Sequence, residues 1–378
     1  MSRRKSFTSD HNMYRTSVHR FIAERIMPFH AQWEEKGLVP RELWLEAGAA
    51  GILCPNIPEE YGGGGGCFLY TAVVIEEIAT ALASGVTGFT THSDIVANYL
   101  LHLGTEEQKK AWLPGMATGE VVGSIAMTEP SAGSDLKAIR TTAIKDGDEY
   151  VVNGQKTFIT NGYHADRVLL IAKTDPTAGA KGISLFWVDT KLPGFSRGKL
   201  LDKLGQRAQD TAELFFSDMR IPADCMLGEP NKGFGYLMNE LVQERLMIAL
   251  RCAAALEAAL EWTITYTKER HAFGKALIEN QHLRFKLADI KALACATRAF
   301  VDQCLEEFMA GELDADGAAM AKLWASEATS AIDSLLQMYG GYGYMREYPI
   351  ARAFTDVRPN RIYGGSSEIM RELIARAL

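Results

Sequence analysis

Residues 141–152 read Thr-Thr-Ala-Ile-Lys-Asp-Gly-Asp-Glu-Tyr-Val-Val, and this stretch predicts a β-hairpin. Its centre, Asp146-Gly147, is typical of a tight turn, because glycine readily adopts the positive φ that such a turn requires. The runs Thr141–Ile144 and Tyr150–Val152, rich in β-branched and aromatic residues, lie on either side as candidate strands. A sheet is therefore expected in the middle of the chain.

Further short strands are predicted on both sides of the hairpin, from about residue 122 to Pro222. Each candidate strand contains β-branched or aromatic residues, and glycine or proline separates it from the next. These further runs are Lys156–Thr160, Arg167–Ala172, Gly182–Asp189 and Glu213–Phe216. The pattern indicates a small β domain.

Helical patterns flank this β region. Before it, apolar residues recur at helical spacing, and Thr105, followed by Glu-Glu-Gln, is predicted as the N-cap of a helix. After it come long helical stretches that short loops join, which favours an antiparallel bundle. The predicted stretches are 236–269, 281–310 and 315–339.

The order helix, strand, helix lacks the βαβ alternation of a Rossmann sheet, and no GxGxxG motif is present. The predicted fold class is α+β. We divide the chain into an N-terminal helical domain (1–121), a central small β domain (122–230) and a C-terminal helical bundle (231–378).

Composition excludes several function classes. The 378 residues carry a net charge of −7 and no long basic stripe, which argues against nucleic-acid binding. The six cysteines form no CxxC and the eight histidines no HxxxH or HExxH, so no metal site is expected. No run of about 18 apolar residues predicts a membrane span, and the basic start, Met1-Ser-Arg-Arg-Lys-Ser6, has no apolar segment of a secretory signal behind it.

One helix carries charges in an unusual position. On a helical wheel of the 236–269 stretch, Arg245 falls within the apolar arc and Glu244 lies at its edge, beside Leu237 and Ile248. Two interpretations remain open from the residues alone. The pair is either structural, as an ion pair or a snorkelling arginine, or Glu244 is a desolvated carboxylate with a raised pKa, suited to act as a general base.

Five segments resemble the motifs of the acyl-CoA dehydrogenase family, in the family's order and at its spacing. The resemblance covers essentially the whole chain. The segments are Ala126-Met-Thr-Glu-Pro-Ser-Ala-Gly-Ser-Asp135, Phe158-Ile-Thr-Asn-Gly162, Glu269-Arg-His-Ala-Phe-Gly-Lys275, Gln337-Met-Tyr-Gly-Gly341 and Ile362-Tyr-Gly-Gly-Ser-Ser-Glu368. The resemblance implies the family's fold, in which a C-terminal four-helix bundle follows the helical and β domains, and a homotetramer built as a dimer of dimers.

The resemblance also implies a reaction and its cofactor. Members of the family remove the α-proton of an acyl-CoA thioester with a glutamate, while the β-hydrogen leaves as hydride to N5 of FAD. Such a site must stabilise the enolate oxygen with fixed hydrogen-bond donors and exclude water. Reoxidation by electron-transfer flavoprotein is implied as well.

Several positions are carried over to FAD. Met127 and Thr128 are expected at the flavin edge, Thr160 near N5, and Phe158 against the ring, where the family more often has tryptophan. Ser134 is expected beside the diphosphate and the pantetheine of the substrate. The positions implied to reach the FAD of a neighbouring subunit are Arg270, Phe273, Gln281, Gln337 and Gly341, and those implied at the adenosine half are Ser366 and Glu368.

The base is the informative departure from the family pattern. Short- and medium-chain members carry the catalytic glutamate at the position of Gly364. Long-chain and isovaleryl members instead carry it on the first long helix of the last domain, and that position matches Glu244, which the wheel singled out independently. The resemblance leaves Gly364 as an oxyanion-hole donor through its backbone N–H, and assigns Arg245 to orienting Glu244 or the substrate.

The acyl chain is expected to be long and unbranched. Three segments look most like the long-chain enzyme: Arg298–Cys304, Met320–Glu327 and Arg361–Met370. Tyr363 favours an unbranched Cα–Cβ region, and the small residues Gly88 and Thr91 would permit a deep tail pocket. The alternatives are an isovaleryl- or citronellyl-type branched-chain dehydrogenase, an acyl-CoA oxidase or flavin monooxygenase on the same fold, and a non-catalytic acyl-CoA-binding scaffold. A bacterial cytoplasm is the expected compartment, or the mitochondrial matrix if the chain is eukaryotic.

Overall fold

The computed structural model describes residue 4 and residues 6–378, so most of the basic start of the chain lies outside the described residues. The chain forms helices, then a sheet, then helices again, as the sequence predicts. The first seven α-helices are α1 Ser9–Phe21, α2 Met27–Lys36, α3 Glu42–Ala49, α4 Phe68–Thr80, α5 Thr87–Thr91, α6 Ala97–Leu103 and α7 Glu106–Thr118. Short π-helical turns, Ile22–Ile26 and His92–Val96, join α1 to α2 and α5 to α6.

The predicted cap of α7 is confirmed. The Thr105 hydroxyl accepts a hydrogen bond from the backbone N–H of Gln108 at 3.3 Å, and the Gln108 side chain accepts from the backbone N–H of Thr105 at 2.9 Å. This reciprocal capping box satisfies two N–H groups that the first turn of the helix cannot pair internally.

One sheet forms the centre of the molecule. Its strands are β1 Gly123–Ala126, β2 Thr142–Asp146, β3 Glu149–Thr160, β4 Arg167–Lys173, β5 Ile183–Asp189, β6 Phe195–Leu200, β7 Thr211–Pro222 and β8 Met226–Leu227. They are arranged β6-β7-β3-β2-β4-β5-β8, and β1 pairs in parallel with β4. The hairpin around Gly147, which has φ +63°, is confirmed as β2 and β3.

Two details of the sheet differ from the prediction. The runs Tyr150–Val152 and Lys156–Thr160 belong to one strand, β3, because irregular pairing with β7 lets the strand continue past Gly154. In addition, β1, β6 and β8 were not predicted. These strands are short, and they acquire their extended form by pairing with longer neighbours.

The C-terminal part contains the remaining helices and a short hairpin, β9 His271–Ala272 with β10 Lys275–Ala276. The helices are α8 Gly233–Glu269, α9 Gln281–Met309, α10 Ala315–Ala328, α11 Ala331–Gln337, α12 Pro349–Asp356 and α13 Ser367–Ala377. The prediction of one helix over 315–339 was wrong, because the chain breaks at Thr329-Ser330. Their hydroxyls donate to the backbone oxygens of Ser326 and Glu327, at 2.6 Å each, and compete with the helical pattern.

Helix α8 runs through the core. Its buried middle, including Leu246, Met247 and Leu250, shares one apolar cluster with α1, α4 and α10. Buried Ala321 and Ala325 of α10 belong to the same cluster, and their small side chains allow α10 to approach α8 closely. Side chains of α8 and α10 are therefore held rigidly next to each other.

Candidate active site

Glu244 lies on α8 at the edge of the buried core. Arg245 is buried and Glu244 is half-buried, so the wheel placed both correctly. Burial raises the pKa of the Glu244 carboxyl above its ordinary value, and the charges of Arg245, Arg251 and Lys322 partly counter this rise. Glu244 is thus a desolvated carboxylate in a setting of positive charge.

The Glu244 carboxylate faces Gly364. A Cβ atom built on Gly364 would lie 3.6 Å from Oε1 of Glu244 and would overlap with Cδ1 of Ile248. Gly364 and Gly365 have φ values of +65° and +90°, a region that favours glycine. The carboxylate of Glu244 and a side chain at position 364 would therefore face the same space.

Tyr363 is held firmly beside this space. Its hydroxyl donates to Oδ1 of Asn360 and accepts a hydrogen bond from Nη1 of Arg251 at 3.0 Å. The other terminal nitrogen of Arg251 donates to the Thr90 hydroxyl at 3.1 Å. Arg251 was missed by the sequence reasoning, although it lies seven residues after Glu244 and so on the same side of α8.

Two residues of α10 hold the chain on the C-terminal side of the glycine pair, Gly364 and Gly365. Nζ of the buried Lys322 donates to the backbone oxygen of Gly365 at 2.6 Å, and Glu327 accepts from the Ser367 hydroxyl at 2.6 Å. Both residues lie within the 320–327 segment, which resembles the long-chain enzyme but whose sequence does not indicate these contacts. Their contacts join residues about 40 positions apart, which no local pattern reveals.

Arg245 was expected to orient either Glu244 or the substrate. Arg245 is 5% exposed, yet among the described residues it has no ion pair with Glu244, and its Nε has no hydrogen-bond partner there. Its influence on Glu244 is through charge alone. A role in orienting Glu244 by direct contact is therefore not supported by this geometry.

The residues predicted at the flavin edge come together at the end of the sheet. Thr157 N–H donates to the backbone oxygen of Thr128 at 2.9 Å, which fixes the segment after β1 against β3. Met127, Thr128 and Thr160 are half-buried. Phe158 is 67% exposed and has φ +60°, so it is not a core residue.

This donor set fits a flavin. An exposed aromatic face suits stacking on a planar ring, and threonine hydroxyls with backbone groups suit its polar edge. A positive φ at a bulky residue such as Phe158 is strained, and such strain clusters at functional sites.

A buried ion pair that the sequence reasoning missed supports these residues. Nζ of Lys156 donates to Oε1 of Glu129 at 2.8 Å and to the backbone oxygen of Met127 at 3.1 Å. The other carboxylate contacts of Glu129 are the backbone N–H groups of Arg140 and Thr141, at 2.6 and 3.0 Å. Glu129 lies within the 126–135 segment, and the resemblance of that segment to a family motif is the signal that could have identified it.

Gly88 of α5 packs against the sheet, which differs from the expectation that its small size permits a deep tail pocket. Nδ2 of Asn161, next to Thr160, donates to the backbone oxygen of Gly88 at 2.9 Å. A Cβ on Gly88 would overlap with Oδ1 of Asn161 and approach the Gln209 amide nitrogen to 2.8 Å. The small size of Gly88 therefore serves packing against the sheet, and it does not open a tail pocket. Thr91 is half-buried.

A second group of predicted residues lies elsewhere. Arg270, Gln337 and Gly341 line one groove of about 570 Å³, and the guanidinium of Arg270 lies 5.6 Å from the ring centre of Tyr342. Phe273 and Gln281 are exposed and are not among the residues that line this groove. Arg270 follows the end of α8, 26 residues after Glu244, which is about 39 Å along the helix.

The remaining predicted residues lie at the surface. Ser134 is in the exposed loop after β1. The Ser366 hydroxyl accepts from Ile369 N–H at 3.4 Å and caps α13, in whose first turn Glu368 is exposed. Within the described residues, no cluster of His, Cys, Asp and Glu could hold a metal ion, and no helix is long and apolar enough to cross a bilayer.

Comparison with known proteins adds independent findings. Profiles of the acyl-CoA dehydrogenase N-terminal, middle and C-terminal domains match residues 8–120, 124–219 and 231–378. The chain is 50% identical to the long-chain specific acyl-CoA dehydrogenase of Sus scrofa, over 99% of this chain and 88% of that protein. It is 36% identical to the isovaleryl-CoA dehydrogenase of Oryza sativa, over 98% of this chain and 92% of that protein. A solved acyl-CoA dehydrogenase structure from Geobacillus kaustophilus superposes with a TM-score of 0.97, at 46% identity over 99% of both chains.

Proposed function

Because the chain belongs to the acyl-CoA dehydrogenase family and is a flavoprotein oxidoreductase, we propose that it converts a long, unbranched acyl-CoA to the trans-2-enoyl-CoA, with Glu244 as the base. Bound FAD supplies the hydride acceptor for this reaction. The observation that carries the proposal is the orientation of the Glu244 carboxylate toward Gly364. The alternative of a non-catalytic scaffold rested on the missing glutamate at 364, and the carboxylate of Glu244, which faces that position, is a candidate base in its place.

The surroundings of Glu244 suit the removal of an α-proton. Burial raises the pKa of its carboxyl, which makes the ionised form a stronger base than a carboxylate in water. The positive charges of Arg245 and Arg251 keep the carboxylate available despite its burial. The backbone N–H of Gly364 would donate to the thioester oxygen as negative charge develops there.

Two groups of residues would hold the cofactor. Met127, Thr128, Phe158 and Thr160 would bind the flavin ring, and Ser134 the diphosphate and the pantetheine. Arg270, Gln337 and Gly341 line a groove beyond the end of α8, where Arg270 lies about 39 Å along the helix from Glu244. Together with Phe273 and Gln281 they would serve the FAD of a second copy, as in a homotetramer, with Ser366 and Glu368 at the adenosine half.

The choice of a long chain rests on similarity and on Tyr363. The 50% identity to a long-chain specific enzyme exceeds the 36% identity to an isovaleryl enzyme. The Tyr363 ring is held in place by Asn360 and Arg251 and would crowd a branch at Cβ. Electron-transfer flavoprotein is the proposed electron acceptor.

The test is anaerobic bleaching of the bound flavin by a panel of acyl-CoAs. Butyryl-, octanoyl-, palmitoyl-, isovaleryl- and citronellyl-CoA would be mixed with the FAD-loaded protein. We expect the fastest bleaching with palmitoyl-CoA and, in turnover with an electron acceptor, the largest kcat/KM for it; a sharp optimum at butyryl- or isovaleryl-CoA would contradict the long-chain assignment. Rapid peroxide formation in air without an electron carrier would instead indicate an oxidase.

The base is tested with a matched pair of variants. Glu244→Gln removes the proton acceptor, so bleaching should slow by at least about 100-fold. Glu240→Gln is the control, because Glu240 lies one turn earlier on α8 and pairs with His102 at 2.7 Å. Bleaching at the wild-type rate in Glu244→Gln would show that the base is another residue.

A further inference from the structure

Lys322 lies at the active site and has no role in the reaction as described so far. Its side chain is fully buried in the contact between α10 and α8, and among the described residues it donates one hydrogen bond, to the backbone oxygen of Gly365 at 2.6 Å. An ammonium group has three donors, and burying one with so few partners costs free energy. A packing role alone would be served better by an apolar side chain of the same length.

We propose that Lys322 is a positioning residue for the oxyanion hole: it holds the Gly365 carbonyl and thereby fixes the Gly364 N–H toward the thioester oxygen. This inference rests on the proposed function. The glycine pair needs such an anchor, because glycine has little conformational preference of its own. On the other side of the pair, Tyr363 is anchored by Asn360 and Arg251.

The charge of Lys322 serves the same site. It acts on Glu244 and lowers the pKa that burial raises, together with Arg245 and Arg251. Burial lowers the pKa of Lys322 itself to about 8, and the nearby Cys252, Glu327 and Glu244 oppose this change. The amine is therefore protonated near neutral pH, and a charged donor makes the stronger hydrogen bond to the Gly365 carbonyl.

The first test uses Lys322→Met, which keeps the length of the side chain and removes the donor. We expect kcat for palmitoyl-CoA to fall by about 10- to 100-fold, because the oxyanion donor loses its alignment. KM should change by less than about threefold, since ground-state binding is retained. Lys203→Met is the control, because its Nζ also donates to a backbone carbonyl, that of Gln209, at 2.6 Å.

A second readout needs no turnover. The thioester carbonyl of isotope-labelled trans-2-hexadecenoyl-CoA, bound to the FAD-loaded protein, would be followed by infrared difference spectroscopy. A well-aligned N–H donor polarises this carbonyl and lowers its stretching frequency. We expect the frequency to move back toward its value in water in Lys322→Met and to stay low in Lys203→Met. Equal frequencies in wild type and Lys322→Met, or an unchanged kcat, would overturn the proposal.

Chemical rescue covers the case in which Lys322→Met does not fold. Lys322→Ala would be refolded and assayed with added propylammonium, a cation that can occupy the space of the missing side chain. Recovery of rate and carbonyl frequency with propylammonium, and not with neutral propanol, would support the proposal; equal effects of both would contradict it. Failure of the proposed function would be distinct, because the wild-type flavin itself would then not bleach with palmitoyl-CoA.

Discussion

At the scale of single residues, the sequence identified the charged pair of α8 but not the groups that surround it. Glu244 and Arg245 stood out because a polar residue beside an apolar arc is visible within one helix. Lys322 and Arg251 did not stand out, because they act through contacts with Gly365 and Tyr363, which are more than 40 residues distant in the chain. Local sequence patterns identify candidate residues, whereas the distant residues that contact them can be identified only from the folded structure.

A substitution at Gly364 tests the geometry of this site. Gly364→Ala places a methyl group against Cδ1 of Ile248 and 3.6 Å from Oε1 of Glu244, at φ +65°. We expect a loss of about 1–3 kcal/mol in the free energy of unfolding, from the strained backbone, and slower reduction of the flavin by acyl-CoA because the N–H donor shifts. Chemical denaturation and flavin bleaching measure the two effects.

The control for this substitution is Gly235→Ala in the first turn of α8. Space is open around Gly235 and its φ is not positive, so alanine should leave stability unchanged or raise it by about 0.5–1 kcal/mol. If Gly364→Ala proved as stable and active as wild type, the close approach of Gly364 to Glu244 would be wrong.

At the scale of elements, the long helices and the central hairpin followed from the sequence. Periodicity and the Asp146-Gly147 turn were sufficient for these. Three strands of the central sheet and the short hairpin of β9 and β10 were missed because their form depends on pairing partners. The helix predicted over 315–339 breaks where two hydroxyls bond back to the chain. The central strand β3 also carries a feature that no pattern predicted, the buried pair of Lys156 with Glu129.

Lys156→Met tests what this pair does for the end of the sheet. Burial favours the neutral acid, yet the charge and hydrogen bond of Lys156 hold the pKa of Glu129 below its ordinary value, so removal of the amine leaves a buried unpaired carboxylate. We expect a loss of about 3–5 kcal/mol in the free energy of unfolding and weaker FAD retention. Thermal unfolding and flavin fluorescence after gel filtration are the measurements.

The double variant Lys156→Met/Glu129→Gln is the control for charge, because it removes both partners. It should recover part of the lost stability, since no uncompensated charge remains. Equal stability of Lys156→Met and wild type would show that the pair does not support β3 and the segment after β1.

At the scale of the whole molecule, buried polar contacts lock the three parts together. Glu76 of α4 binds Arg4, Arg15 and Arg298, at 2.7, 2.8 and 2.7 Å, and so ties the N-terminal helices to α9. Gln206, in the loop before β7, donates to the backbone oxygen of Asp356 at 2.9 Å. Stability is therefore shared between the parts, and a change at one boundary affects the whole chain.

His92 provides a test of this coupling through pH. Its Nε2–H donates to the Met116 oxygen at 3.0 Å, and its Nδ1 accepts from Gly123 N–H at 3.0 Å, so the neutral ring joins α7 to β1. Burial lowers the pKa of His92 to about 4 from the ordinary 6.5. The unfolded chain thus binds a proton at a higher pH than the folded one, so the stability from the neutral ring is complete above pH 6.5 and is lost as the pH falls toward 4.

We expect this one group to account for a decrease of about 3 kcal/mol in the free energy of unfolding over that interval. Urea denaturation at a series of pH values measures the slope. His92→Gln, whose amide can donate and accept in place of the ring, should flatten the slope, whereas the exposed His282→Gln should not. If the free energy of unfolding had the same pH slope in His92→Gln and in wild type, protonation of His92 would have no effect on folding. The acid sensitivity of the folded chain would then arise at other groups.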